Sequence, residues 1–172
     1  MGDYRSGTCF AKEEIVRSTI CSNCYCISFC NLIRKVGHMS IRLLIADDND
    51  TVREIINSFI SKQPDIEVIG EAKDGENAVV LAKKLSPDMV IMDINMPKMN
   101  GIEAAGNILR YNPAARIIIL SIHSHKYIVE ARLKVGVSGY VLKDYMVDDL
   151  IPALRAVMVN ELFLSPKITM LR

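Results

Sequence analysis

From residue 41 onward the chain repeats one alternation five times: a short apolar run, then a stretch with apolar residues at helical spacing. The runs are Ile41–Ala46 (IRLLIA), Ile66–Ala72 (IEVIGEA), 89–92 (MVIM), 116–120 (RIIIL) and Gly139–Leu142 (GYVL), each of strand length. Between them lie helical stripes: Val52, Ile55, Ile56, Phe59 and Ile60; then Ala78, Leu81, Ala82 and Leu85; then Ile102, Ala105, Ile108 and Leu109. A weaker pattern over 127–135 (Ile128, Ala131, Leu133, Val135) and a clear one at Val147, Leu150, Ile151, Leu154 and Val157 complete the set. Strands that alternate with helices build a parallel sheet covered on both faces. Right-handed crossovers leave few ways to order it. The expected class is α/β, a doubly wound five-stranded parallel sheet in the order 2-1-3-4-5.

The punctuation supports these bounds. Thr51-x-x-Glu54 reads as a capping box, and Gln63-Pro64 closes the helix that follows. Asp74-Gly75 reads as a turn, Ser86-Pro87 and Tyr111-Asn112-Pro113 as stops, and Gly136 as a C-terminal cap. Ile66–Ala72 alternates only in part, which suits a strand near a sheet edge.

Polar residues cluster where the strands stop. Asp47-Asp48 follow the first, Asp93 the third, Ser121 the fourth and Lys143 the fifth. Pro97 has no N–H for a ladder, and Gly101 supplies backbone freedom before the third helix. In a 2-1-3-4-5 sheet, strands 1 and 3 are neighbours at the switch point, outside whose carboxyl ends ligands bind. Asp47, Asp48 and Asp93 should therefore converge, with Ser121 and Lys143 closing the same rim. Three carboxylates so close repel one another unless a cation joins them. Mg²⁺ suits such oxygen ligands when a phosphoryl group is also bound. Lys143 can hold a phosphoryl oxygen as a point charge and Ser121 can donate to another. Asp93 can then serve as nucleophile and form an acyl phosphate. Each residue also has a plainer reading. Asp47-Asp48 could be helix caps, Lys143-Asp144 a surface pair, and Ser121 a hydroxyl bonded to its own backbone. Their coincidence at the ends of four strands favours the site.

The first 38 residues differ from the rest. All five cysteines (Cys9, Cys21, Cys24, Cys26 and Cys30) lie there, at spacings that match neither the usual zinc pattern nor the ferredoxin run. The apolar stretch over 20–33 is broken by Ser22, Asn23, Ser28 and Asn31 and lacks a small-residue cleavage site, so it does not read as a signal peptide. Residues 1–38 are read as a poorly ordered or non-native extension, since Met39-Ser40 looks like a start. No apolar run reaches the roughly 20 residues of a membrane span. The net charge of +1 argues against a broad nucleic-acid-binding surface.

Asp47-Asp48, MDINMP around Asp93, LSIHS around Ser121 and GYVLKD around Lys143 together resemble the receiver domain of two-component response regulators. DGENAV, MNGIEAA and GVSGYVLKD are similar to the NarL/FixJ-type subfamily of transcriptional regulators. The resemblance covers 39–160 and implies a flavodoxin-like receiver fold in a cytoplasmic chain. It implies that Asp93 accepts a phosphoryl group from a sensor histidine kinase. Asp48, Asp93 and the backbone carbonyl of Asn95 would bind Mg²⁺ directly, with Asp47 acting largely through water. Ser121 would be the switch hydroxyl and Tyr140 the aromatic rotor that turns inward after it. The surface of the fourth helix, fifth strand and fifth helix (about 127–157) would change, and the chain would homodimerise on phosphorylation. Beyond self-catalysed transfer and autodephosphorylation, no enzyme activity is implied. Residues 161–172 (ELFLSPKITMLR) resemble the start of a linker, and DNA would be met only through an output domain absent here.

Two rivals remain. A haloacid-dehalogenase-type phosphatase also uses an Asp on a parallel sheet, but it wants an acid two residues on, where this chain has Asn95. A receiver-like interaction module that takes no phosphate would not need the full set of acids, hydroxyl and lysine.

Overall fold

A computed structural model of the protein describes residues 40–124, 129 and 133–170. The cysteine-bearing extension lies outside the described residues. The strands are β1 (Ile41–Ala46), β2 (Ile66–Ala72), β3 (Met89–Asp93), β4 (Arg116–Ser121) and β5 (Gly139–Leu142), with β6 (Phe163–Leu164) after them. The helices are α1 (Asp50–Ile60), α2 (Gly75–Leu85), α3 (Gly101–Tyr111), α4 (Met146–Met158) and α5 (Pro166–Met170). Of the helical pattern over 127–135, the described Val129 and Leu133 are helical. All pairings are parallel and the order is β2-β1-β3-β4-β5-β6, the expected order with one strand added.

Period-two alternation divides each central strand between two cores. Leu44, Val90, Met92, Ile117 and Ile119 face one side, packed with Ala78, Ala82, Ala105 and Ile108 of α2 and α3. Leu43, Ile45, Met89, Ile91, Ile118 and Leu120 face the other, against Ile56 and Ile60 of α1 and Leu150, Leu154 and Val157 of α4. Because both faces are covered, these strands are apolar over most of their length, which is why they were visible as runs.

Several local readings change. The cap of α1 is Asn49, whose side chain accepts the Thr51 N–H at 3.0 Å, so Thr51 stands inside the helix and is no capping residue. Asp74 caps α2 through the Asn77 N–H, and Asn100 caps α3 through the N–H groups of Ile102 and Glu103. Ile55 and Val147 leave their buried stripes and are exposed, while Arg53 in α1 and Met146 and Ala153 in α4 are buried instead. The added strand β6 lies beside β5, and Ser165 beyond it is fully buried. Ser165 Oγ accepts the Leu142 N–H at 3.0 Å and donates to Asp149. Ile168 of α5 joins the core on the α2–α3 side.

Candidate functional site

The carboxyl ends of β1, β3 and β5 bring the expected charges together. Carboxylate oxygens of Asp47, Asp48 and Asp93 lie within 4.8 Å of one another, with Asp47 and Asp93 buried and Asp48 exposed. Lys143 opens the 3-10 turn after β5 and bridges the two buried acids, at 2.7 Å to Asp47 Oδ2 and 2.8 Å to Asp93 Oδ1. The remaining oxygens take backbone donors: Asp47 Oδ1 accepts the Asn49 N–H at 2.9 Å, and Asp93 Oδ2 accepts the Asn95 N–H at 3.0 Å. Burial disfavours the Lys143 ammonium, but its hydrogen bonds to Asp47 and Asp93 outweigh that and hold its pKa above the ordinary lysine value. Neither the helix-cap reading of Asp47-Asp48 nor the surface-pair reading of Lys143 survives: Asn49 is the cap, and Lys143 reaches across the rim.

The donor set fits a hard cation. Each of the three carboxylates offers one oxygen within 4.8 Å of the other two, which gathers hard oxygen donors of the kind Mg²⁺ takes at one point of the rim.

The β4–β5 side is built differently. Ser121 ends β4 almost fully buried, and its Oγ accepts the His123 N–H at 3.0 Å. Tyr140 on β5 is fully buried and its hydroxyl donates to the His123 carbonyl at 3.1 Å. These two side chains therefore hold the two backbone groups of a single residue. The Tyr140 ring, expected to turn inward in response to Ser121, lies inside in this structure. The hydroxyl-to-own-backbone reading of Ser121 is part of what the structure shows.

The loop after Asp93 carries features that residue types alone did not reveal. A Cβ on Gly101 would stand 1.8 Å from the Asp93 carbonyl oxygen, and one on Gly75 would stand 2.1 Å from that of Met99. Gly101, expected to supply backbone freedom, is thus required by close approach. Lys98, at φ 64°, pairs with Asp74 at 2.6 Å, which ties the loop to the start of α2. That hydrogen bond holds the Asp74 carboxyl below its ordinary pKa. Arg53 is a second omission. It falls on the stripe with Ile56 and Ile60 at i, i+3, i+7, so a cation on the buried face of α1 was the available signal.

Known proteins share this arrangement. Residues 43–155 match the response regulator receiver domain. The chain is 39% identical over 135 residues to the transcriptional regulatory protein DegU of Brevibacillus brevis, covering 78% of this chain and 57% of that protein. It is 39% identical over 127 residues to the nitrate/nitrite response regulator protein NarL of Escherichia coli K12, covering 74% of this chain and 59% of that protein. The chain thus spans less than two thirds of the length of these relatives. Among solved structures, a LuxR-family two-component response regulator from Aurantimonas is similar with a TM-score of 0.73 at 33% identity, covering 76% of this chain and 94% of that one. The isolated receiver domain of RcsB from Salmonella enterica, determined with the phosphomimetic BeF3-, is similar with a TM-score of 0.72 at 28% identity, covering 76% and 97%. Nothing among these relatives supports a phosphatase. With its acids, lysine and sheet order in place, the chain belongs to the response regulator receiver family and is a receiver domain of the NarL/LuxR type.

Proposed function

We propose that Asp93 is the phosphoacceptor of this receiver and that a sensor histidine kinase supplies its phosphoryl group. A carboxylate oxygen of Asp93 attacks the phosphorus of a phosphohistidine. The new O–P bond forms as the P–N bond breaks, the imidazole departs, and an acyl phosphate remains on Asp93. The observation that carries this reading is the pair of contacts from Lys143 to Asp47 and Asp93. A cation already beside the acceptor, on a flexible stem, can redirect one of its hydrogen bonds to an incoming phosphoryl oxygen without a large rearrangement. Asp48, Asp93 and the backbone carbonyl of Asn95 would hold Mg²⁺, with Asp47 acting largely through water. The ion, when bound, neutralises charge on the phosphoryl oxygens during transfer.

Transfer in and hydrolysis out are the only chemistry proposed; the chain is a regulatory switch. Phosphorylation adds negative charge and acceptor oxygens next to Ser121. We propose that the Ser121 hydroxyl turns to the phosphoryl group and releases the His123 N–H. Because the Tyr140 hydroxyl holds the carbonyl of the same His123, the change passes to β5 and the surface around it. Residues 39–160 would form the receiver, with 1–38 an extension outside it and 161–172 the start of a linker, and DNA would be met only through an output domain. A cytoplasmic site and phosphorylation-dependent homodimerisation belong to the same proposal. Support comes from a related structure of two RcsB dimers bound to two parallel DNAs. Among the described residues, no helix is long and apolar enough to cross a membrane.

The test is intact mass after incubation with acetyl phosphate, with and without Mg²⁺. The parent should gain one phosphoryl group only with the cation, and Asp93→Asn should gain none.

A further inference from the structure

Asp47 has four polar groups, and each is held. Its N–H donates to the Ala72 carbonyl at 3.1 Å, and its carboxylate oxygens take the Asn49 N–H and Lys143. Its carbonyl lies past the end of β1 and before the start of α1, so neither a strand ladder nor a helix can satisfy it. Arg53 does so: its Nη1 donates to that oxygen at 2.7 Å in a buried hydrogen bond. Arg53 is 5% exposed, and its other nitrogens are also engaged, Nε with Glu71 Oε2 at 2.9 Å and Nη2 with Asp50.

We propose that Arg53 is a positioning residue for the divalent-cation site, acting through the Asp47–Asp48 peptide. The inference rests on reading this rim as a Mg²⁺-dependent phosphoryl-transfer site. The carbonyl of Asp47 and the N–H of Asp48 belong to one planar unit, so fixing the oxygen fixes the orientation of that unit. The direction in which Asp48 leaves the chain follows from it. Asp48 is the exposed member of the cluster, where its carboxylate has most to gain from a fixed origin. Without Arg53 the buried carbonyl would lack its donor, and the peptide would turn toward water to recover one. Arg is the suitable residue because its rigid fork serves three acceptors in different directions, which a lysine ammonium on a flexible stem does not.

Sign separates positioning from simple charge. Arg53 is a cation beside a cation site, so as a bare charge its removal would tighten Mg²⁺ binding. As a positioning group its removal weakens binding. Titration calorimetry of Mg²⁺ into the full chain reads this directly. Arg53→Ala should weaken binding about tenfold or more, the effect usual for the outer partners of metal ligands. Glu71→Gln, which disturbs the far side of the same arginine, should leave affinity unchanged. Parent-like or tighter binding by Arg53→Ala overturns the proposal, as does a lower melting temperature without metal at unchanged affinity. Should Arg53→Ala fail to fold, Arg53→Lys keeps stem and charge but not the fork. Weakened binding in that variant supports the proposal and parent-like binding overturns it. A parent chain that binds no Mg²⁺ overturns instead the phosphoryl-transfer reading beneath it.

Discussion

The two sides of the rim are held together by different forces. On the β1–β3 side, buried acids are fixed by charge and by backbone donors: Lys143 reaches over from the end of β5 to span Asp47 and Asp93, and Arg53 grips the Asp47 carbonyl. On the β4–β5 side, Ser121 and Tyr140 are neutral hydroxyls that share the backbone of His123. Charge-assisted bonds are roughly twice as strong as neutral ones. A neutral bond to a backbone group is worth about 1 kcal/mol and is easily exchanged for another. The charged side is thus preformed for chemistry, and the neutral side is cheap to rearrange when a phosphoryl group arrives.

Changes on the charged side should therefore impair phosphoryl acceptance, whereas changes on the neutral side should leave acceptance intact and alter its consequences. The largest effect is expected at Gly101. A methyl group there would meet the Asp93 carbonyl oxygen at 1.8 Å, and that oxygen belongs to backbone that cannot give way without moving the acceptor. Gly101→Ala should cost about 3 kcal/mol in urea unfolding, the upper end for overpacking, and slow phosphorylation as well. Normal phosphorylation at parent stability would show that the loop is not fixed as described.

Asp48→Ala comes next. It removes an exposed carboxylate from the cluster, so Mg²⁺ affinity should fall about tenfold or more, that is, by at least about 1.4 kcal/mol. Stability without metal should hold or rise as repulsion among the acids is relieved. Unchanged affinity, measured by Mg²⁺ titration, would remove Asp48 from the site.

Ser121→Ala deletes the acceptor of the His123 N–H and should cost about 1 kcal/mol. The variant should still accept phosphate but show a smaller change in amide exchange over the β4–β5 side or in self-association. A full response would make the neutral side irrelevant to switching. Tyr140→Phe is the mildest change: the ring stays buried and the bond to the His123 carbonyl is lost, for about 1 kcal/mol. Its phosphorylation rate should equal the parent's, and a rate defect would break the division between the two sides.

The same division explains what the sequence made legible. Strands covered on both faces are mostly apolar, so Ile41–Ala46 and Arg116–Ser121 stood out as runs, and the polar residues at their ends marked a rim. Partner choice left no such mark. Asn49 and Asn100 cap their helices from loops in which many residues are polar, and Thr51-x-x-Glu54 imitated a cap two residues too late. Gly101 looked like a source of freedom because contact with a distant carbonyl leaves no trace in local sequence. Ile55 and Val147 satisfied the helical period but point away from the sheet. β6 is two residues long, below the length at which periodicity can speak, and its place depends on Ser165 bonding to Leu142 and Asp149. Tyr140 was placed on the right strand, but its inward position follows from the His123 carbonyl, which no sequence pattern reports.

The most direct test of the central claim is the mass of the intact chain after exposure to acetyl phosphate. The account predicts one added phosphoryl group on the parent when Mg²⁺ is present, none when it is chelated, and none on Asp93→Asn under either condition. An Asp93→Asn chain that gains the group at full yield, or a parent that gains it equally without a divalent cation, would contradict it.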